Sequence, residues 1–176
     1  LKLISYSDNL DLSFFYKEAE KRKFYNNSNK EMLIDCFSNE HDYKLWILYN
    51  DELPVGSVAV HSLDILGENS YRICARTCVF TDLLPYKSLR TRNQIKTHQH
   101  VISQYCIPIC IEYCGNNDMY ISSHNSTVGT QKLVHNIYCP AMEEIGIFKK
   151  DVTIEYRGHL QTFWKLNPEK FYSDLN

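Results

Sequence analysis

The hydrophobic pattern of the first half predicts one strand, two helices and three further strands. Residues 1–7 alternate between apolar and polar, which predicts a strand, and the apolar residues between Leu12 and Phe24 recur at helical spacing. A capping box at Ser28–Glu31 predicts the start of a second helix. Three strand-like segments then follow, at 43–49, 55–63 and 71–81.

The second half alternates long helical and strand-like segments. A helix is predicted over 88–113, and Pro108 should kink or divide it. A short strand at 119–123, a helix over 128–145 and a β segment over 152–166 complete the chain, with Arg157-Gly158 as a turn or a bulge. This order predicts an α+β fold with a mixed, partly parallel central sheet and helices on both faces. The chain shows no linker, so residues 1–176 are predicted to form a single domain.

Composition and charge narrow the class of protein. The 176 residues are 44% hydrophobic and carry a formal net charge of -2, which fits a globular domain and argues against a general nucleic-acid binder. The first residues contain no long apolar run, so we expect neither a signal peptide nor a membrane-spanning segment there.

The seven cysteines indicate a reducing compartment, and a cytoplasmic location is expected. Three of them, Cys106, Cys110 and Cys114, recur every fourth residue, which invites a metal or iron–sulfur interpretation. Their spacing differs from the short Cys-x-x-Cys pattern typical of such sites. We therefore predict buried structural cysteines and no metal.

Two local motifs carry a resemblance to a known family. The strand-like Arg72–Phe80 runs into Leu84-Pro85-Tyr86 and a basic helix start, and Ala141–Ile147 ends a helix with Gly followed by an apolar residue. In their order and spacing, over nearly the whole chain, these segments resemble the GCN5-related N-acetyltransferases (GNAT). The resemblance implies an acyl-CoA-dependent N-acetyltransferase that transfers the acetyl group of acetyl-CoA directly to an amine.

The resemblance also implies where coenzyme A binds. In the family the phosphate loop has small residues where this chain has Arg90 and Arg92. Phosphates would then be held by side chains, unless coenzyme A binding has been lost. The residues implied for coenzyme A are Cys78, Val79, Phe80 and Thr81 along the pantetheine arm, Lys87, Arg90, Arg92 and Asn93 at the phosphates, and Asn125 after the next strand.

The catalytic positions depart from the family pattern as well. The family's fourth-helix tyrosine, which protonates the leaving thiolate, aligns with Met142, and Tyr138 lies one turn earlier. His124 follows the predicted strand at 119–123 and is either a general base or a loop histidine. We predict that His124 and Tyr138 manage the protons.

Two arginines are candidates for acceptor binding. Arg72 and Arg76 would project from the same face of one strand, where they either clamp a carboxylate or phosphate of the acceptor or pair with nearby acidic residues. The predicted partner is a small-molecule or other amine acceptor, with no nucleic acid and no membrane. The oligomeric state stays open, with a homodimer as one option.

Two other functions remain open at this stage. The chain could be a GNAT-like domain without catalysis that serves as a binding or scaffold module, which the arginines at the small positions and Met142 favour. It could also be a synthase of the acyl-homoserine-lactone type, in which an acyl carrier protein docks on the basic residues around Arg90.

Overall fold

A computed structural model describes residues 1–23, 33–34, 42–85, 94–124 and 134–175. The chain divides into two compact units. The first contains Leu1–Ser62 and Cys74–Cys110, and the second contains Leu63–Ile73 and Ile111–Asn176. The single-domain expectation stays a prediction.

The first unit begins with an antiparallel arrangement of strands and one helix. Strand β1 (Lys2–Ser5) pairs with β2 (Lys44–Asn50), and β2 pairs with β3 (Leu53–Ser62). Asp51 has a φ of 53°, the left-handed conformation that reverses the chain between β2 and β3. These three predicted strands are confirmed.

Helix α1 (Ser13–Lys21) contributes its apolar stripe to the core of the first unit. Phe15 and Ala19 are completely buried, and the Phe15 ring lies 5.2 Å from the ring of Phe80. Leu12, Leu33, Leu45, Ile47 and Ala59 belong to the same cluster of buried residues. The helix predicted at the Ser28–Glu31 capping box lies outside the described residues.

The long helix predicted over 88–113 is described from Gln94 onward and is more irregular than expected. It consists of α2 (Gln94–Val101), a π-helical turn (Ile102–Cys106) and α3 (Ile107–Cys114). Pro108 cannot donate a backbone hydrogen bond, and a π turn stands immediately before its segment. The helical path continues through Pro108, so the alternative that Pro108 divides the helix was wrong, and the alternative that it kinks the helix stays a prediction.

The second unit contains a mixed sheet. Strand β4 (Ser70–Val79) pairs in parallel with β5 (Asp118–His124) through Ser70 to Arg72, as the GNAT resemblance implies. Strand β5 pairs antiparallel with β7 (His159–Leu166), and β7 with β6 (Phe148–Tyr156). The sheet has seven strands in the order β1-β2-β3-β4-β5-β7-β6, so the predicted α+β fold with a mixed, partly parallel sheet is confirmed.

The last third of the chain differs in detail from the prediction. The described part of the predicted 128–145 helix is a π-helical turn (Val134–Tyr138) followed by α4 (Cys139–Glu144). The predicted β segment 152–166 is a hairpin that starts earlier, at Phe148, and turns at Arg157 and Gly158, both with positive φ. A final helix, α5 (Pro168–Leu175), was not predicted. Within the described ranges, no helix is both long and apolar enough to cross a membrane.

Candidate functional site

The end of β5 places three consecutive polar residues on alternate faces of the second unit's sheet. Ser122, Ser123 and His124 close this strand, and successive residues of a strand point to opposite faces. Ser122 and His124 therefore share one face, and Ser123 lies on the other. The two faces carry different side-chain clusters.

On the first face, Arg72 is held between two neighbours. Its Nε donates a hydrogen bond to the Ser122 Oγ at 2.6 Å, and its guanidinium carbon lies 5.6 Å from the centre of the Tyr156 ring. Both contacts restrict the plane of the guanidinium. Stacking on an aromatic ring is a typical contact of the planar guanidinium group. The role of Arg72 in acceptor binding stays a prediction.

His124 lies on the same face and stacks on a second histidine. The His124 and His159 rings are nearly parallel, with centroids 4.9 Å apart and an angle of 14° between the planes. Burial lowers the pKa of His124 below 6.5, and the positive charges of His159, His135 and Arg72 lower it further. Near neutral pH the His124 imidazole is therefore uncharged and able to accept a proton.

On the opposite face, Ser123 connects a tryptophan and a histidine. The Trp164 Nε1 donates to the Ser123 Oγ at 3.3 Å, and the same oxygen lies 3.1 Å from the His135 Nδ1. This pair has the spacing of a nucleophile and its base, but Ser123 is completely buried and out of reach of a substrate. Its role is to orient the His135 ring from within the sheet.

Tyr138, the second catalytic candidate, belongs to the π-helical turn that also carries His135. Only 1% of its surface is exposed, and its ring meets the edge of Phe148 at 6.1 Å. Met142, in α4, is half-buried, and its backbone carbonyl accepts the Ile147 amide at 2.9 Å in the helix-ending motif that contains Gly146. The catalytic role of Tyr138 stays a prediction, and its burial favours His124 as the group that meets a substrate.

In the first unit, the second half of β4 departs from regular strand geometry. Cys74 and Arg76 have φ values of 54° and 50°, in the left-handed region that non-glycine residues rarely adopt. The Thr77 Oγ1 donates to the Cys74 carbonyl at 2.7 Å, and the Ser57 Oγ donates to the Arg76 carbonyl at 2.7 Å. In a regular strand these two carbonyls would accept hydrogen bonds from the backbone of a neighbouring strand, and here side-chain hydroxyls take that place.

The hydrogen bonds at the two ends of β4 locate the irregularity. The Leu63 amide bonds to Ser70, and the Phe80 amide bonds to Val55. Between these two hydrogen bonds, the chain advances ten residues along β4, from Ser70 to Phe80. Along β3 it advances only eight, from Val55 to Leu63. Two extra residues fit two β-bulges, which are common beside binding sites. Because left-handed residues interrupt β4, the shared face of Arg72 and Arg76 stays a prediction.

The predicted pantetheine residues follow the bulged segment. The Phe80 amide donates to the Val55 carbonyl at 2.8 Å, so it points toward β3, and the alternation of a strand directs the Val79 amide away from β3. The Phe80 side chain belongs to the core of the first unit, as does Cys78. Thr81 begins a short 3₁₀ turn that ends at Leu83. The coenzyme A contacts of these four residues stay a prediction.

Five predicted site residues lie outside the described residues. They are the phosphate candidates Lys87, Arg90, Arg92 and Asn93, together with Asn125.

Comparison with solved structures shows what this arrangement resembles. An aminoglycoside N-acetyltransferase, AAC(6′)-Ib11, aligns over 97% of this chain and 98% of its own, with a TM-score of 0.59 and 9% identity. An acyl-CoA N-acyltransferase from Pseudomonas aeruginosa aligns over 95% and 99%, with a TM-score of 0.54 and 10% identity. The fold is the GNAT fold. A GNAT family acetyltransferase from Elizabethkingia anophelis with acetyl-CoA bound aligns over 94% and 97%, with a TM-score of 0.51 and 12% identity. No family model and no curated protein matches the sequence.

Within this GNAT fold, the structure adds residues that the sequence did not mark as site candidates. Tyr156, Arg157 and His159 lie where β5 ends and the β6–β7 hairpin turns, and the His135 Nδ1 lies 3.1 Å from the Ser123 Oγ. The sequence signals were the polar run at the end of β5 and the Arg157-Gly158 turn. Their convergence depends on strand order and register, which hydrophobic periodicity does not encode.

The cysteines of the GNAT fold are largely buried. All six in the described ranges are free thiols, and five of these are buried. A hydrogen bond with the Cys110 thiol and burial raise the pKa of the Cys74 thiol, with Cys106 also nearby. High thiol pKa values fit structural cysteines, since thiolates are the reactive and metal-binding form. The described residues contain no group of three or more His, Cys, Asp or Glu that could hold a metal ion.

A cavity lies at the other end of β5. It has a volume of about 850 Å³, and its lining includes Asp118, Phe148 and Lys165. The Lys165 Nζ and the Asp118 carboxylate form an ion pair at 3.0 Å within it. Since Asp118 begins β5 and His124 ends it, the cavity and the histidine lie at opposite ends of the strand.

Proposed function

We propose that this protein is an acyl-CoA-dependent N-acetyltransferase that transfers the acetyl group of acetyl-CoA directly to an amine acceptor. The observation that carries the proposal is His124, a histidine with a lowered pKa at the end of the strand that pairs in parallel with β4 of a GNAT fold. The acetyl-CoA bound in the Elizabethkingia anophelis neighbour supports the choice of co-substrate.

The proposed reaction needs one proton acceptor. An alkylamine is largely protonated near neutral pH, and only the neutral amine is a nucleophile. His124, uncharged at this pH, accepts the proton from the acceptor ammonium. The amine nitrogen then forms a bond to the thioester carbonyl carbon, and the carbon–sulfur bond breaks. As the amide forms, the nitrogen loses a second proton and the leaving coenzyme A thiolate gains one, so the products are the N-acetylated amine, free coenzyme A and the proton held by His124.

The proposed binding of coenzyme A relies on the backbone of β4 and on predicted basic side chains. The Val79 amide, directed away from β3, is suited to hydrogen-bond an amide of the pantetheine arm. Two bulges just before it redirect the strand, which is a common way of freeing a strand edge for a ligand. The arginines Arg90 and Arg92, with Lys87, Asn93 and Asn125, complete the proposed contacts.

The proposal is tested by separating binding from chemistry. Coenzyme A binding is measured by calorimetry, and acetyl transfer by release of free thiol over a panel of amines. His124→Gln removes the base but keeps a polar side chain, so we expect kcat to fall about 10²- to 10⁴-fold. Acetyl-CoA affinity should stay within about twofold, because His124 is not among the proposed coenzyme A ligands.

A matched control comes from the same unit. Glu144→Gln changes an exposed residue of α4 and should leave both kcat and affinity as in the wild type. Absence of acetyl-CoA binding by the wild-type protein would contradict the proposal, as would an H124Q variant with unchanged kcat.

A second candidate function is favoured by one observation. The position that carries the family's tyrosine is occupied by Met142, which has no proton to donate, so the chain would be a GNAT-like binding or scaffold module. Binding of acetyl-CoA without thiol release for any amine tested would favour this function. The acyl-homoserine-lactone synthase alternative stays a prediction.

A further inference from the structure

The structure points to an anion-binding subsite made by Arg72, Arg157, His124 and His159 around Tyr156, and we propose that it binds the carboxylate of the acceptor. This inference rests on the proposed function, since it assigns the substrate class to the same site. The acceptor would be a small amine that carries a carboxylate, rather than a polycationic amine.

Two arginine side chains converge on one aromatic ring. The guanidinium carbons of Arg72 and Arg157 lie 5.6 Å and 5.5 Å from the centre of the Tyr156 ring. The Arg157 Nε also donates to the Tyr156 hydroxyl at 3.0 Å. Tyr156 pairs with His159 in the register of the hairpin, and His159 stacks on His124. Three strands and a turn thus bring two arginines and two histidines to the same place.

The charges of the cluster favour an anion. Arginine is always charged at physiological pH, and two guanidiniums beside the same ring repel each other. Their field reaches His124, where burial lowers the imidazole pKa and the charges of His159, His135 and Arg72 lower it further. A carboxylate between the two guanidiniums interacts favourably with both, so the arrangement favours a negatively charged ligand.

Both guanidiniums are held in defined orientations. The ring contact and the Ser122 hydrogen bond hold the Arg72 guanidinium in a defined plane, and the Tyr156 hydroxyl holds the Nε of Arg157. A planar fork of N–H donors fits a planar carboxylate through two parallel hydrogen bonds. Arg157 and His159 are exposed and Arg72 and His124 are half-buried, so a small ligand can reach the group from solvent.

The position beside His124 assigns this anion to the acceptor. His124 is the proposed base for the acceptor amine, and its pKa responds to the charge of Arg72, so a carboxylate bound at Arg72 belongs to the molecule that carries that amine. Fixing the carboxylate also fixes the amine near the base, which is how a remote ionic contact contributes to catalysis.

The hairpin turn offers a variant that removes charge without disturbing the fold. Arg157 has a φ of 50° and Gly158 a φ of 76°, and Asn-Gly is the favoured pair for such a two-residue turn. Arg157→Asn should therefore preserve the hairpin, which is verified by an unchanged unfolding midpoint. Arg157→Lys is the matched variant that keeps the charge and loses the planar fork.

The first experiment compares paired acceptors, each an amino acid and its uncharged amide, in steady-state acetyl transfer. In the wild type, the carboxylate member should have the higher kcat/KM. In R157N its KM should rise about tenfold, the usual effect of losing one charge-assisted hydrogen bond, with the amide unaffected. R157K should lie between the two. Equal preference for both members in the wild type, or equal effects of R157N on both, would overturn the inference while leaving the transferase proposal intact.

The second experiment needs neither coenzyme A nor transfer. The ring signals of His124 and His159 are followed by NMR while sodium acetate, sodium phosphate or sodium chloride is added at constant ionic strength. Saturable shifts with acetate that are lost in R157N and in Arg72→Gln support the subsite, even if the protein proves not to be an acetyltransferase. Shifts that saturate only with phosphate, or that are equal for acetate and chloride, refute a carboxylate site.

Discussion

His98 should make the protein lose stability in mild acid. The side chain lies on α2 in the first unit, is only 7% exposed, and its Nε2 is buried without a hydrogen-bond partner among the described residues. Burial lowers the pKa of the imidazole from 6.5 to about 4, because a charged ring there would lose its hydration. The folded protein therefore holds His98 neutral over a pH range where the unfolded chain protonates it.

The sign and size of the effect follow from proton linkage. Since the folded-state pKa lies below the unfolded value, this contribution to stability is complete above pH 6.5 and is lost as the pH falls toward 4. The free energy of unfolding should fall through this residue alone by about 2 kcal/mol at pH 5 and by about 3 kcal/mol at pH 4, relative to pH 7.

The assay is urea unfolding of the wild type and of His98→Leu at several pH values between 4 and 7. Carboxylates with shifted pKa values contribute equally to both proteins, so the difference between the two curves isolates His98. At pH 7 the free energy of unfolding of the variant should be equal to or lower than that of the wild type. As the pH falls, it should decrease less than that of the wild type. His100→Gln, an exposed histidine of the same helix, is the control and should follow the wild-type curve. Parallel curves for wild type and H98L would refute the reasoning.

Four further outcomes are expected. Gly56→Ala should lower the free energy of unfolding in urea by about 1–3 kcal/mol, because the new Cβ would lie 2.6 Å from a backbone carbonyl oxygen of β4. An unchanged urea midpoint would contradict this close contact between β3 and β4. Phe163→Ala should cost about 3–5 kcal/mol in the same measurement, since the ring is completely buried, and a loss under 1 kcal/mol would argue against its packing. The log of kcat/KM should rise with pH, with an inflection below 6.5 that reports His124 of the ligand-free protein, and H124Q should remove that inflection. Replacing Arg90 and Arg92 together by alanine should weaken coenzyme A binding about a hundredfold in calorimetry, and unchanged or tighter binding would show that they are not ligands.

The local sequence pattern predicted most helices and strands, and it predicted the position of His124 in the candidate site. The aromatic and aliphatic run at 43–49 and the turn residues before 55–63 predicted β2 and β3, and the polar residues after Ile121 identified the end of β5, where His124 lies. Periodicity failed at the π-helical turns and at the start of β6, where Lys149, Lys150 and Asp151 are exposed in an edge strand. An edge strand needs no buried face at every second position, so its sequence resembles a loop.

By itself the sequence determined the alternation of strands and helices, the chain order that resembles GNAT, and the candidacy of Arg72 and His124. Tertiary structure alone decided that His159 stacks on His124 and that Arg157 and Arg72 share the ring of Tyr156. These contacts arise because β7 inserts between β5 and β6, and because the register pairs Tyr156 with His159. Side-chain periodicity depends only on neighbours along one strand, whereas strand order and register depend on the packing of the whole sheet.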